Sequence, residues 1–180
     1  MEILLYGEPI LKQRCHPVPR VTPKVRALVS NMAEAMRQAH GLGLAAPQLG
    51  EPSCVVVYDV GQGLVVLINP VIASQEDVKI MEEGCLSLPN LHGEVARAAT
   101  VSVQARNLQG RRILRTAQGL EARVIQHECD HLEGTLFIDR VRPDTLYWAV
   151  GEDENGEPYR QPTTLQAAVR VFESRRGKSR

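Results

Sequence analysis

The sequence has no excess of charge of either sign. Its 21 lysines and arginines balance 21 aspartates and glutamates. No net field therefore draws the chain to nucleic acid or to an anionic membrane surface. We expect neither DNA binding nor membrane association.

Long apolar runs are also missing. The N-terminal stretch MEILLYGEPILKQRC carries an acidic residue, an early glycine and a proline, whereas a signal peptide would have an apolar core there. No stretch is apolar over the roughly 20 residues that a membrane-spanning helix needs. These absences favour a cytoplasmic protein.

The four cysteines form no Cys-x-x-Cys pair. Cys15, Cys54, Cys85 and Cys129 are widely spaced, so we interpret them as thiols, one or more of which could bind a metal, and not as a disulfide framework. Internal repeats are absent, and nothing alternates in the βαβ manner of a parallel sheet.

Two helices are predicted in the core of the chain. The first is VTPKVRALVSNMAEAMRQAHG, where Thr22 can cap the start, Pro23 suits the first turn and Gly41 can end the helix. Its apolar residues recur at helical spacing. The second is GLEARVIQHECDHLEG, which we expect to end near Gly134.

The remaining segments predict strands. CVVVYDV, LVVLINP and VKIMEEGCLSLP have strand patterns, ATVSVQARNLQGRRILRT predicts an antiparallel hairpin, and LFIDRV predicts a short closing strand. GLGLAAPQLG is too rich in glycine to predict a regular element. We therefore expect an α+β fold, with antiparallel strands packed around a central helix that carries the motif His-Glu-x-x-His.

A length of 180 residues suits one domain. We divide it into a core at about residues 1–142 and a divergent C-terminal extension at 143–180. Within the extension, GEDENGEPYRQP is acidic and nearly free of apolar residues, and the last 18 residues predict a short helix followed by a basic tail. We expect the extension to be dispensable for chemistry.

The stretch QHECDH contains His-Glu-x-x-His with a cysteine inside it. Successive helical residues turn by about 100°, so His127 and His131 lie on one face, together with Leu120 and Val124. Cys129 points to nearly the opposite side and cannot share a metal with both histidines. Two histidines can be four apart by chance, but the whole motif on an amphipathic helix favours two metal ligands with Glu128 as general base.

The third ligand has to come from elsewhere. Phe137 stands where one metalloprotease pattern has its third histidine, and Glu152, Glu154 and Glu157 lie in a segment that we interpret as solvated charge. Cys85, in a short loop after a predicted strand, is the better candidate. A thiolate with two imidazoles suits zinc or ferrous iron and leaves a coordination position open, as catalytic sites do.

Three motifs together give the sequence a resemblance to the peptide deformylase family. They are GLGLAAPQ (Gly41 to Gln48), EGCLS (Glu83 to Ser87) and QHECDHLEG (Gln126 to Gly134). The likeness extends over roughly Met1 to Val141. It implies a metal-dependent hydrolase that removes the formyl group from the N-terminal formylmethionine of new polypeptides and releases formate.

The resemblance also implies roles for individual residues. It makes Cys85, His127 and His131 the ligands of one divalent metal ion, Fe²⁺ in the cell, with Zn²⁺, Ni²⁺ or Co²⁺ possible after purification. Glu128 is the general base and acid, and Gln48 and the backbone N–H of Leu86 bind the oxyanion. The implied substrate-binding residues are Gly43 and Gly84 through their backbones, Leu44, Met81, Leu120 and Val124 around the methionine side chain, and His92 at the pocket rim.

Departures from the family pattern concern the surroundings of the site. His92 stands where many members have arginine or another large residue, and Arg123 stands where an apolar residue is frequent. Glu83 and Arg97 can form a buried pair that fixes the Cys85 loop, or they can be two exposed charges. Asp130 can orient a ligand histidine or face water.

Two other functions remain open on the sequence. One is a metallopeptidase or another metal amidase that uses the same His-Glu-x-x-His site, and the other is a relative that keeps the metal without catalysis. Under the favoured reading, the partners are N-formylmethionyl polypeptides, met as nascent chains near the ribosome.

Overall fold

One antiparallel sheet of seven strands organises the part of the chain that the computed structural model describes, residues 2–152, 156 and 158–176. The strands are β1 (Gly43–Ala45), β2 (Val55–Tyr58), β3 (Val65–Cys85), β4 (Leu88–Arg106), β5 (Arg112–Gln118), β6 (Tyr147–Glu152) and β7 (Pro158–Pro162). They pair in the order β1-β2-β3-β4-β6-β7, and β5 pairs with β4. The α+β prediction with antiparallel strands is confirmed.

Three α-helices accompany the sheet in the described residues: α1 (Pro23–Gln38), α2 (Gly119–Leu132) and α3 (Leu165–Arg176). Thr22 caps α1 as predicted, because its side chain accepts a hydrogen bond from the Val25 N–H. The helix ends at Gln38, before Gly41, and His40 takes the left-handed conformation there with φ of 53°. Among the described residues, no helix has the length and apolar character to cross a membrane.

Strand β2 lies between two apolar layers. Val56 and Tyr58 pack in a cluster with α2, whereas Val55 and Val57 pack in a cluster with α1. Successive strand residues point to opposite faces, so the run VVVY is buried throughout. The helix that carries His-Glu-x-x-His is therefore held on one face of the sheet by an apolar core.

Strand β3 is longer than the sequence patterns predict. LVVLINP and VKIMEEGC form one strand of 21 residues, which pairs with β2 at its start and with β4 from Ile68 to its end. Irregularities in register near Asn69 and Ile72 let it bend between these partners. The predicted hairpin is confirmed, with Arg106 opposite Arg112.

Two local predictions were wrong. LFIDRV does not form a strand: Phe137–Asp139 is a 3-10 helix, and only Val141 makes an isolated bridge, to Val95. GLGLAAPQLG is regular, with strand β1 followed by a 3-10 helix at Ala46–Leu49. In both segments, burial of apolar side chains decides the local structure more than residue preference does.

The C-terminal extension packs on the core. Leu146, Ala168 and Phe172 are buried in a cluster with residues of β4 and of the segment after α2. The predicted helix is present as α3. The buried apolar residues of the extension flank the acidic segment on both sides. Glu154, Glu157 and the basic tail lie outside the described residues.

Candidate metal centre and active-site cleft

Cys85, His127 and His131 converge on one point. The two histidines lie one turn apart on α2, with ring centroids 5.1 Å apart, and Cys85 is the last residue of β3. One ligand atom from each residue lies within 4.8 Å of the others, and Cys85 Sγ is 3.3 Å from His131 Nε2. The β3–β4 connection therefore brings a sulfur to the histidine face of the helix.

These three side chains fit a single metal ion. Bonds of about 2.0–2.3 Å to nitrogen and sulfur place ligand atoms about 3–4 Å apart around one ion. Cys85 Sγ and His131 Nε2 have this spacing at 3.3 Å, and all three ligand atoms lie within 4.8 Å of one another. Thiolate and imidazole donors suit zinc or iron, and three protein ligands leave a position open.

A buried carboxylate orients His127. Glu83 Oε2 lies 3.0 Å from His127 Nδ1, which leaves the other ring nitrogen for the ligand position. Arg97 holds Glu83 with two hydrogen bonds of 2.7 and 2.9 Å. Burial opposes ionisation of Glu83, but hydrogen bonds from Arg97 and His127 outweigh it and hold the pKa of this carboxyl well below its ordinary value. The predicted buried pair of Glu83 and Arg97 is present.

The same network reaches the surface through Asp130. Arg97 donates to Asp130 over 2.6 Å, and Arg140 donates to both oxygens of Asp130 over 2.6 and 2.7 Å. Asp130 thus neither faces water nor contacts a ligand histidine. It anchors the arginine that anchors Glu83, a role that the sequence pattern did not reveal.

Arg123 is a second buried partner of Glu83. Its guanidinium lies 2.5 Å from Glu83 Oε1 and donates to the backbone carbonyls of Lys79 and Val95. The charge of Arg123 is therefore directed into the β3–β4 ladder, where carbonyl oxygens and a carboxylate compensate it.

Without a metal, the pKa values of the two candidate ligand histidines are shifted in opposite directions. Burial lowers the pKa of His127, but hydrogen bonds to Cys85 and Glu83 raise it well above its ordinary value. Burial and the neighbouring charge of His127 lower the pKa of His131. Metal binding would therefore release the proton of His127, since only the neutral imidazole is a ligand.

Glu128 is buried beside the three ligands. Its Oε2 has no hydrogen-bond partner among the described residues, and burial raises its pKa to about 7. A methyl group added at Gly43 would lie 2.9 Å from Glu128 Cδ and Cγ, so the glycine leaves room for this carboxylate. An unpartnered carboxyl with a pKa near neutrality is suited to proton transfer.

Gln48 is fixed with its amide group towards the metal ligands. Its Oε1 accepts a hydrogen bond from the Ala45 N–H over 2.8 Å, and its Nε2 donates to Ser87 Oγ over 3.1 Å and lies 3.7 Å from Cys85 Sγ. Ser87 is fully buried and was not singled out as a site residue, although it lies inside EGCLS. Leu86, between Cys85 and Ser87, lines the same cleft.

The site opens into a cavity of about 520 Å³. It is lined by five of the residues that the resemblance implies for substrate binding, Gly43, Gly84, His92, Leu120 and Val124, together with Gln48, Leu86, His127 and Glu128. Leu44 does not line it: its neighbour Gly43 faces Glu128, so Leu44 points the other way, into the α1 cluster. Met81 is half-buried on β3 and does not line it either.

Cys129 lies apart from the three ligands. It is half-buried and packs against the apolar cluster between α2 and the sheet, and burial raises the pKa of its thiol to about 12. Its placement agrees with the helical geometry that excluded it as a ligand, and its thiol stays protonated.

The family model described as polypeptide deformylase matches residues 1–146. The chain belongs to the peptide deformylase family. A peptide deformylase from Desulfitobacterium hafniense is 46% identical over 141 residues, which cover 78% of this chain and 94% of that protein. One from Halothermothrix orenii is 48% identical over 143 residues, which cover 78% and 93%.

Solved peptide deformylase structures share the fold. The Synechococcus elongatus enzyme in complex with actinonin matches with a TM-score of 0.77 at 39% identity, over 79% of each chain. The Thermus thermophilus enzyme matches with a TM-score of 0.75 at 34% identity, over 97% of this chain and 92% of the other. This peptide deformylase is a metal-dependent hydrolase that removes the formyl group from an N-terminal methionine.

Proposed function

We propose that Cys85, His127 and His131 hold one divalent metal ion and that Glu128 moves the protons of deformylation. The observation that supports this most directly is the convergence of the three donor atoms beside a buried, unpartnered carboxylate. A metal ion in such a site lowers the pKa of water and polarises the carbonyl group under attack. The remaining steps belong to side chains and backbone groups of this chain.

In this proposal Glu128 takes a proton from the attacking water and delivers it to the departing amine. Its pKa, raised by burial to about 7, is suited to both transfers, because a group that titrates near the working pH can accept and donate. Gly43 contributes by leaving space for the carboxylate.

Gln48 and the backbone N–H of Leu86 are proposed to stabilise the oxyanion that develops on the formyl group. The hydrogen bond from Ala45 holds the Gln48 carbonyl oxygen, which leaves the amide N–H₂ to face the site. Loss of one such donor typically lowers turnover by about 10²–10³. Ser87 supports Gln48 by accepting its second N–H.

The peptide is proposed to lie extended between Gly43 on β1 and Gly84 on β3, which both line the cavity. The methionine side chain would then contact Val124, which is buried, and Leu120, which is 45% exposed at the mouth. Leu44 and Met81 have no part in this pocket, since they do not line the cavity.

Fe²⁺ is proposed as the metal in the cell, with Zn²⁺, Ni²⁺ or Co²⁺ able to replace it on purification, because one thiolate and two imidazoles accept all four ions. The substrates are proposed to be nascent N-formylmethionyl chains near the ribosome, in the cytoplasm. DNA and membranes are not proposed as partners, because the balanced net charge of the chain does not attract anionic surfaces.

A formate-release assay on anaerobically purified protein of known metal content tests the proposal. We expect formyl-Met-Ala peptides to be hydrolysed and the matched acetyl-Met-Ala peptides to be hydrolysed poorly, because the extra methyl group crowds the metal and Gln48. Equal rates on both peptides would contradict a deformylase. Cleavage of an internal peptide bond without formate release would favour the alternative, a metallopeptidase with the same site.

A further inference from the structure

The C-terminal hairpin β6–β7 meets the rim of the cleft. Glu82 and His92 line the cavity, and the hairpin supplies Tyr147 and Arg160, which contact them from outside. Tyr147 is also the residue opposite His92 where β6 pairs with β4. These four side chains, Glu82, His92, Tyr147 and Arg160, form what we call the rim cluster.

His92 is held in place within the rim cluster. Its ring stacks on Tyr147, with centroids 5.5 Å apart and planes 18° apart. The ring also lies over Gly84, where an added methyl group would be 2.9 Å from His92 Cε1, and His92 Nδ1 lies 3.8 Å from Glu82 Oε1. The hairpin therefore fixes the ring against the backbone position that is proposed to pair with the peptide.

Glu82 is the acidic member of the rim cluster and is 38% exposed. Arg160 Nη2 lies 3.2 Å from Glu82 Oε2, and the Arg160 guanidinium lies 4.7 Å from the centre of the Tyr147 ring. Glu82 also accepts a hydrogen bond from the Tyr147 hydroxyl. Since burial lowers the pKa of His92, Arg160 is the fixed positive charge in contact with Glu82 among the described residues.

Both residues from the hairpin lie beyond the part of the chain that the family model matches, residues 1–146. The contact to Glu82 thus comes from a segment whose sequence is outside the family pattern. No motif in the chain points to it, because the residues that meet are 78 positions apart.

We propose that Arg160 allows the cleft to accept both acidic and basic residues after formylmethionine, because it offsets the charge of Glu82 at the rim. This inference rests on the proposed deformylase function. With Arg160 present, the rim is close to neutral and takes acidic and basic peptides alike. Without it, the Glu82 carboxylate repels acidic side chains and attracts basic ones.

We expect the charge of the third residue of the peptide to be the one that Glu82 and Arg160 affect. Gly84, next to the ligand Cys85, is proposed to pair with the methionine, and Glu82 lies two strand residues farther from the metal. Two strand residues span about 7 Å, which is also the reach of the next two residues of an extended peptide. Tyr147 and Arg160 are positioning residues in this account, since neither lines the cavity.

The test compares kcat/KM for formate release from formyl-Met-Ala-Asp and formyl-Met-Ala-Lys amides at low salt. For Arg160→Ala we expect the Asp-to-Lys ratio to fall by about three- to tenfold, mainly through KM, since exposed charge pairs are weak. High salt should remove most of the change. Glu82→Gln in the Arg160→Ala background should restore the ratio, and Arg170→Ala, an exposed arginine on α3, should leave it unchanged.

The outcomes separate this inference from the proposed function. Formate release by the unaltered protein with no change of the ratio in Arg160→Ala would overturn the inference alone. An equal, salt-insensitive loss of kcat/KM on both peptides would also overturn it. Such a loss would indicate a loosened hairpin, which affects acidic and basic peptides in the same way. No formate release from either peptide by the metal-loaded, unaltered protein would overturn the proposed function.

Discussion

At the scale of single residues, the burial of Glu128 should be measurable as a dependence of stability on pH. In the metal-free protein its pKa rises from 4.5 to about 7, so the folded state holds an extra proton between these pH values. Stability therefore falls as the pH rises through that window. The loss is on the order of 3 kcal/mol once Glu128 is ionised.

Glu128→Gln removes the carboxyl group that titrates and therefore tests this dependence of stability on pH. Above pH 7 we expect the metal-free variant to be more stable than the unaltered protein by up to about 3 kcal/mol, and at pH 5 by much less. Urea unfolding of both proteins at pH 5 and pH 8 measures the difference. A stability gain of the same size at both pH values would show that burial does not raise this pKa.

The ligand assignment is tested with two cysteines of the same chain. Cys85→Ala removes one of three donors, so we expect loss of bound metal together with activity. Cys129→Ala is the matched control, because this thiol lies on the other side of α2 and should leave the metal content unchanged. Metal analysis after dialysis measures the metal content of both variants. Full metal occupancy in Cys85→Ala would show that Cys85 is not a ligand.

Residue-scale predictions succeeded where geometry along one element decides. The spacing of His127, Cys129 and His131 on one helix predicts that the two histidines share a face and that Cys129 points away, and the structure places them in this way. For Leu44 the prediction failed. The motif GLGLAAPQ places this residue near the cleft, but its side chain points away from the cleft because the neighbouring Gly43 faces it. Arg123 likewise finds its partners on β3 and β4, which no local pattern reveals.

At the scale of elements, Arg97 connects β4 to β3 and α2. It pairs with Glu83 and Asp130 and is almost fully buried. Arg97→Ala would remove a buried charge that donates two hydrogen bonds to Glu83 and one to Asp130, and we expect this to cost about 3–5 kcal/mol of stability. The loss of support for His127 should also weaken metal affinity by about 10- to 100-fold.

Arg140→Ala is the control for that variant, since Arg140 binds the same Asp130 but is about half exposed. Its loss should cost no more than about 1 kcal/mol. Thermal unfolding and competition with a chelator measure stability and affinity in both variants. Equal effects of the two substitutions would contradict the importance of burial in this network.

Element boundaries were predictable where capping and periodicity agree, as for Thr22 and α1. They were not where tertiary contacts decide. LFIDRV has the composition of a strand, yet Leu136, Phe137 and Ile138 are all buried in one cluster, and a 3-10 turn can direct consecutive side chains inward where a strand would alternate them. The length of β3 depends on its pairing with β4, which extends from Cys85 opposite Leu88 to Ile68 opposite Arg106.

At the scale of the whole molecule, the extension should be part of one cooperative unit with the core. Phe172 on α3 is buried and contacts the rings of Tyr6 and Trp148. Phe172→Ala should therefore lower stability by about 3–5 kcal/mol, as for other buried aromatics, with a single unfolding transition. The control Leu165→Ala, at an exposed position of the same helix, should change little.

The same contacts revise what to expect of a truncated chain. A protein ending after Arg142 would expose Leu88, Leu91 and Phe137, which now pack against the extension, and Cys85 packs against that cluster. We expect lowered stability and weaker metal retention even though no proposed catalytic residue is removed. A truncated protein as stable as the full chain would contradict this and support dispensability.

The most direct test of the account is formate release by metal-loaded Glu128→Gln, with metal content measured on the same sample. Glu128 is not one of the three ligands, so we expect metal near one ion per chain. Turnover should fall by about 10²–10⁴, the usual contribution of a general base and acid. Turnover near that of the unaltered protein, at full metal occupancy, would contradict the assignment of proton transfer to Glu128.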